Sequence, residues 1–436
     1  MEDKNKISIW TAILININIM VGAGIFVYPQ LMTQKAGYAS FLGWPIVALI
    51  FLPVVLSIAT IARMFPGQGS FYAYAKNLIS PTVGFASGWL FFSAYICTSS
   101  ILTLAFRNTI LGVISSNLGV NVPIFLFNII FISLVTLLSF LSINIFAKIQ
   151  NIGTVLKIIP LIFIVAIFLF YLNPDFKIAS DGLSELGLVI PLALFGYWGF
   201  ECCCAISHLI KGRKSNASTA ILLAFGITTF VYTAFHFGLL NIMGVENLAK
   251  YGVIGVINFL VMPAAIKTII VFFFSFAIAT VFLFSVFGMF TTNSSTLHAL
   301  ADENLLPFSK QLKKTNKFDR PWVAILAQGI LTFCIISATD SIVFLNTNTN
   351  FGILSTFFIT LFALLSMQIK SKNYKQMIIT LLAFVSCGLF SYYSWMDAGK
   401  DCLSRFIGLS PLLIAFVLGM GSYFYIKNKS KLAQAR

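Results

Sequence analysis

The chain has 436 residues, of which 59% are hydrophobic and only 9% charged, where a water-soluble globule carries about 25% charged residues. So few charges cannot clothe a globule in water, and the class is membrane-embedded. The 28 Lys and Arg against 13 Asp and Glu give a net charge of +15, but these residues form no stripe along a polar helix, which excludes nucleic acid as a partner. Seven irregularly spaced cysteines argue against a disulfide framework.

A membrane-spanning helix needs about 20 largely uncharged residues, so the charges serve as cutting points. Between Lys6 and Lys35 lie 28 uncharged residues, between Lys35 and Arg63 another 27, and between Lys76 and Arg107 another 30. These are three spans. The first is too long for the apolar region of a cleaved signal peptide and reads as retained. A fourth falls near 122 to 143, a fifth near 149 to 172 with Lys157 inside it, and a sixth near 186 to 209 with Glu201 inside it. Six more follow near 217 to 243, 267 to 294, 322 to 338, 350 to 369, 376 to 395 and 406 to 426, making twelve. The whole of 1 to 436 then reads as one integral membrane domain, without room for a second, soluble one. If the N-terminus is cytoplasmic, 20 basic residues fall inside and seven outside, with Lys157 buried. That asymmetry predicts both termini inside.

Two spans do not read as ordinary lipid-facing helices. The first carries Asn18, then Gly22-Ala23-Gly24-Ile25-Phe26 and Pro29. Paired glycines near the midplane let a helix unwind and expose backbone amides and carbonyls, which is tolerated only around a protein-enclosed site. A helix-packing face is the plainer alternative, although Gly22 and Gly24 lack the GxxxG spacing. The sixth span repeats the pattern in Phe195-Gly196-Tyr197-Trp198-Gly199-Phe200-Glu201. Two interrupted helices five spans apart point to an inverted-repeat transporter with its site where the breaks meet. Free helix N-termini suit a carboxylate and free carbonyl ends an ammonium, so the pairing suits an amino acid.

These residues carry a resemblance. Gly22-Ala23-Gly24-Ile25-Phe26 with Pro29 resembles the first-helix signature of the amino acid-polyamine-organocation (APC) permeases. Pro66-Gly67-Gln68-Gly69-Ser70-Phe71-Tyr72-Ala73-Tyr74 is similar to their loop between helices two and three. Gly84-Phe85, Gly88-Trp89, Asn144 through Gln150 to Lys157, Gly199-Phe200-Glu201, and Leu305-Leu306-Pro307 with Pro321 continue the likeness in order, over roughly residues 8 to 370. The chain departs from the family at His208-Leu209-Ile210-Lys211-Gly212-Arg213, which lacks the acid and proline usual after helix six, at Ser295, where many members have Arg, and at Glu303-Asn304.

The resemblance implies an all-α membrane protein of leucine-transporter type. Helices one to five (about 8 to 172) and six to ten (about 186 to 369) would form an inverted repeat, with helices one and six broken and helices eleven and twelve (about 376 to 426) appended. It implies secondary transport of an amino acid or polyamine in a bacterial inner membrane. The amides of Gly22, Ala23 and Gly24 would meet the substrate carboxylate, with Ile25 also in the binding site, and the carbonyls near Phe195, Gly196 and Trp198 would meet its amino group. Glu201 would couple protons to release. Lys157 would stand where sodium sits in sodium-coupled relatives, which leaves a proton symporter or an exchanger.

From the residues alone, a buried Glu201 is a functional hypothesis by default, set against an acid permanently bonded to neighbouring helices. Lys157 could instead snorkel to the interface. Phe195 and Trp198 are backed as gates because they flank the break; with aromatics at 15%, ordinary packing is the alternative for any one ring. Cys202-Cys203-Cys204 with His208 cannot assemble four tetrahedral ligands, so no metal is expected. His236 and His298 show no partner pattern, and no catalytic motif or cofactor loop is visible. A membrane enzyme acting on lipid would show clustered interfacial Asp, Glu or His, and a channel would not need two broken helices.

Overall fold

The computed structural model describes residues 8–65, 71–170, 182–201, 204, 210, 215–260 and 263–434. All its regular elements are helices. Helix α1 (Ile9–Met20) starts at Ser8, whose side chain accepts a hydrogen bond from the Thr11 amide, and α2 (Ala23–Ala36) resumes after a break of two residues. A 3-10 turn (Gly37–Leu42) leads into α3 (Gly43–Met64). Then come α4 (Phe71–Leu78), α5 (Pro81–Leu118), α6 (Ile124–Ser139), α7 (Ile143–Phe170) and α8 (Leu186–Phe195).

Past the second break lie α9 (Ser215–Tyr251), bent at Gly244, and a 3-10 turn (Val253–Phe259). The chain continues through α10 (Ala264–Asp302), α11 (Ser309–Leu312), α12 (Trp322–Ala338), α13 (Ile342–Lys370), α14 (Tyr374–Asp397) and α15 (Cys402–Gln434). The span expected near 322 to 338 coincides with α12, and the break expected in the first span separates α1 from α2.

Polar side chains punctuate the helices where chemistry requires. Ser80 caps α5 by accepting from the Val83 amide, with Pro81 in the first turn, where its missing N–H costs nothing. Asp401 caps α15 by accepting from the Ser404 amide at 2.7 Å, while Ser404 Oγ accepts from the Asp401 amide at 3.0 Å. This reciprocal pair follows the capping-box pattern with Ser in the place of Glu.

Among the described residues, seven segments are long and apolar enough to cross a membrane: Gly24–Met64, Pro81–Ser115, Asn216–Tyr251, Ala265–Asp302, Ile342–Lys370, Tyr374–Asp397 and Cys402–Lys429. Four shorter apolar helices, α1, α6, α8 and α12, accompany them. The most apolar stretch of α5 is 78% buried and that of α15 22%, so α5 runs through the centre and α15 at the periphery. Around α5 pack α4, α10, α13 and α15, while α9 lies against α1, α2 and α3, and α8 against α2. Many large apolar side chains point outward, among them Phe230, Phe273, Val385 and Leu418, as helices solvated by lipid require.

Candidate functional site

The two breaks meet. Met20 ends α1, Val21 and Gly22 take non-helical backbone angles, and Gly22 begins α2 without a side-chain cap. The first amides of α2, from Ala23 onward, therefore have no partner within their own helix. In the second break, α8 ends at Phe195 and the chain tightens into i to i−3 hydrogen bonds at Gly196, Tyr197, Trp198 and Phe200. A Cβ on Gly24 would lie 2.8 Å from the Gly196 Cα, closer than side-chain carbons approach backbone. Glycine at 24 lets the two segments pass so near each other, while Gly196 leaves room for the Trp44 ring, which would lie 2.5 Å from an added Cβ. Gly199 has φ of +107°, a region that L side chains rarely adopt. It packs on the end of α1, where an added Cβ would come within 2.7 Å of Ile19.

Two buried charged residues, Glu201 and Lys157, serve these breaks. Glu201, 2% exposed, accepts a hydrogen bond from the Tyr95 hydroxyl on α5 and another at 3.0 Å from the Gly199 amide. Its carboxylate thus holds the turn that Gly199 makes. Lys157 on α7, 3% exposed, donates to the Asn18 carbonyl at 3.0 Å and to Ser285 Oγ of α10 at 2.9 Å. An ammonium bonded to a carbonyl at the broken end of α1 supplies the positive charge that such an end attracts. The snorkelling alternative for Lys157 does not fit, since its Nζ turns inward. Ser285 in turn sits against Gly22, its Oγ 3.3 Å from where a Cβ would be.

Further side chains stitch the breaks to the scaffold. Asn16 donates to the Phe200 carbonyl at 2.7 Å, tying α1 to the second break. Tyr232 of α9 donates to the Met20 carbonyl at 2.7 Å, and Tyr197 donates to the Trp44 carbonyl at 2.8 Å. Phe195 packs edge-on against Tyr28, with ring centroids 5.0 Å apart. Trp198 donates its indole N–H to Asn350 Oδ1 at 2.7 Å. Asn350 belongs to a run, Asn346-Thr347-Asn348-Thr349-Asn350, buried to 1% or less throughout. Asn346 and Asn350 both donate to the Pro191 carbonyl of α8. Asn348 inserts its amide into α15 beside Pro411, donating to the Gly408 carbonyl at 2.8 Å and accepting from the Leu412 amide at 3.3 Å.

Several of these partners escaped the sequence reading. Tyr95, Ser285, Trp44 and Tyr232 lie far along the chain from the residues they touch, and local spacing carries no signal for them. The run at 346–350, five amides and hydroxyls in succession, offers a signal that a span placed at 350 to 369 leaves unused. His236, which showed no partner pattern, accepts at Nδ1 from the Trp44 indole at 3.1 Å. Indole only donates, so the neutral ring carries its proton on Nε2, which then donates to Thr33 Oγ1 at 3.0 Å. His298 pairs with Asp302 at 3.3 Å.

Of the family departures, Glu303 forms an ion pair with Lys76 at 2.6 Å, which raises the Lys76 pKa. Asn304 takes a left-handed backbone, φ of 55°, and Ser295 bonds to the Thr291 carbonyl within its own helix. Pro66 to Ser70, Cys202, Cys203 and His208 lie outside the described residues.

Buried backbone ends, a fixed ammonium and a buried acid gathered at a crossing of interrupted helices define the class as a membrane carrier for small solutes. The comparisons give the family. Residues 7–420 match the amino acid permeases, and the chain belongs to that family, within the APC superfamily that its motifs resemble. It is 22% identical over 344 residues to gamma-aminobutyric acid permease of Bacillus subtilis, covering 74% of this chain and 70% of that protein. Identity to the branched-chain amino acid permease BcaP of the same organism is also 22%, over 99% of this chain and 95% of the relative. To large neutral amino acids transporter small subunit 2 of Oryctolagus cuniculus it is 24%, over 58% of this chain and 50% of the relative.

Proposed function

We propose that the protein carries an amino acid across the membrane by alternating access, coupled to protons or to counter-transport and independent of sodium. The substrate carboxylate meets the amides of Ala23, Gly24 and Ile25 beside Gly22, whose own amide donates to the Met20 carbonyl at 2.8 Å, and the substrate ammonium meets the carbonyls near Phe195, Gly196 and Trp198. The observation that carries this reading is the backbone approach of Gly24 to Gly196, which brings a helix N-terminus and a run of tight turns to one point. The names of its relatives, permeases for gamma-aminobutyric, branched-chain and large neutral amino acids, support the substrate class.

Lys157 supports sodium independence, because its ammonium already bonds the broken end of α1 and occupies the place of a cation. Glu201 is the coupling acid. Two donors inside the protein already hold its carboxylate, which leaves less of it to dock a second substrate ammonium, as a polyamine would need. In this reading the chain makes twelve spans, with helices one to five and six to ten as an inverted repeat and both termini in the cytoplasm. The segments around the two breaks rock against the rest. The test is uptake into proteoliposomes of a panel of labelled amino acids, with and without a pH gradient, sodium and internal counter-substrate. Saturable uptake of an amino acid without sodium is expected. A requirement for sodium would remove the role given to Lys157, and no uptake of any amine-bearing solute would sink the substrate class.

A further inference from the structure

Between Leu305 and Trp322, in the connector from α10 to α12, the chain carries Lys310, Lys313, Lys314, Lys317 and Arg320 against one acid, Asp319. The four lysines are exposed, and none of them forms an ion pair among the described residues. The acids at the end of α10 are already engaged, Glu303 by Lys76 at 2.6 Å and Asp302 by His298 at 3.3 Å. Positive charge left uncompensated in this way attracts an anion.

Placement decides which anion. Since α10 is a candidate span and α12 an apolar helix, the link between them lies at a face of the membrane. It is pinned there to the end of α6: Asn316 Nδ2 donates to the Phe140 carbonyl at 2.8 Å, and Arg320 Nε to the Ser139 carbonyl at 3.4 Å. Asn316 Oδ1 accepts from the amides of Phe318 and Arg320 at 2.9 and 3.1 Å, which folds the lysine-bearing segment back onto α6. Helices α6 and α12 pack together and turn Leu134, Leu137, Leu326 and Ile330 outward. Lipid chains therefore run along the two helices whose ends carry the lysines.

The aromatic residues point the same way. Phe308 is 75% exposed, and its backbone is left-handed, with φ of 57°, a conformation that is costly for a bulky residue. The Lys317 ammonium lies 5.1 Å from the ring centroid of Phe318, itself exposed. Rings beside ammonium groups fit the headgroup layer of a bilayer, where the ring meets acyl carbon and the ammonium meets phosphate. A dissolved anion would engage the lysines and leave the rings in water.

We propose that the connector from Phe308 to Trp322 is a docking surface for the headgroups of anionic phospholipids, with Lys313, Lys314 and Lys317 on the phosphates and Phe308 and Phe318 among the first acyl carbons. The inference needs only the membrane setting and stands apart from the choice of substrate.

The full-length protein in detergent is equilibrated with an equimolar mixture of phosphatidylglycerol and phosphatidylcholine, and the lipids it keeps are counted by native mass spectrometry. The wild type is expected to keep phosphatidylglycerol in preference. The joint change Lys313→Gln, Lys314→Gln and Lys317→Gln should lower that preference at least about fivefold, the effect of one lysine at a membrane surface. Removing the same charge around the link between α13 and α14, by Lys370→Gln, Lys372→Gln and Lys375→Gln, should leave it within about twofold. Phe308→Gly suits the left-handed backbone, so it should keep or raise the unfolding temperature while weakening retention of the lipid. Equal losses from the two lysine triplets, no loss from the first, or unchanged retention with Phe308→Gly would each overturn the proposal. Displacement of the lipid by glycerol phosphate at the same concentration would make this a site for soluble anions and overturn the lipid assignment.

Discussion

Replacing Gly24 by Ala is the sharpest probe of the crossing, because the new methyl would lie 2.8 Å from the Gly196 Cα and 3.6 Å from its amide nitrogen. The obstacle is backbone, with no rotamer to yield, so one of the two segments must shift. Adding a methyl to a tight buried contact costs about 1–3 kcal/mol, and if the strain falls on the transporting conformation it lowers the rate about 5- to 150-fold. Two further glycines calibrate the effect. Gly22→Ala is tight only against the Ser285 hydroxyl, at 3.3 Å, with Leu102 in ordinary contact at 3.5 Å; the hydroxyl can rotate at the cost of its bond to Lys157, so a smaller loss is expected. Gly226→Ala in α9 has nothing within 4 Å and leaves transport within about twofold. Initial uptake rates in proteoliposomes, corrected for reconstituted protein, should rank Gly24 as far worse than Gly22, and Gly22 as worse than Gly226. Wild-type transport by Gly24→Ala would refute the reasoning, since the helices would then not be held in contact where they are interrupted.

The remaining predictions follow from the buried polar groups and from the cap of α15. Glu201→Gln keeps the bulk but removes the exchangeable acid; the pH dependence of uptake should flatten, and unchanged rates at every pH would take Glu201 out of the mechanism. Lys157→Met removes the ammonium that holds Asn18 and Ser285, so transport should be lost while the protein remains monodisperse in detergent; full activity would contradict its placement at the break. Outside the membrane, the Ser404 amide and hydroxyl hold the Asp401 carboxyl below the usual carboxylate range. A depressed carboxylate stabilises the start of α15 above its unfolded pKa and loses that effect as pH falls through its folded value. Ser404→Ala should therefore move the loss of amide protection at 402–405 to higher pH in hydrogen exchange, with no change in KM.

The charges marked apolar segments because burying one is expensive, although the candidate span Gly24–Met64 runs through Lys35, which had served as a cutting point. The breaks were legible for a related reason, since paired glycines inside a span conflict with helix propensity. Their surroundings were less so. Tyr95 lies 106 positions from Glu201 and Ser285 lies 128 from Lys157, separations at which a single sequence has no periodicity to read. The aromatic residues hid one another as well. With 46 Phe, 14 Tyr and 6 Trp, nothing local distinguishes Trp44, wedged against Gly196 with its N–H on His236, from a ring facing lipid. Nothing near Pro191 in the sequence points to Asn346 and Asn350, and only the folded chain brings them to its carbonyl.

The central claim is that both interrupted segments hold one amino acid together. Hydrogen exchange of the purified protein in sodium-free buffer, with and without the amino acid that supports uptake, tests it directly. The account predicts added protection at the amides of 22–26 and 195–200 simultaneously, with the same half-saturation for the two segments. Protection confined to one of them, or found only when sodium is present, would contradict it.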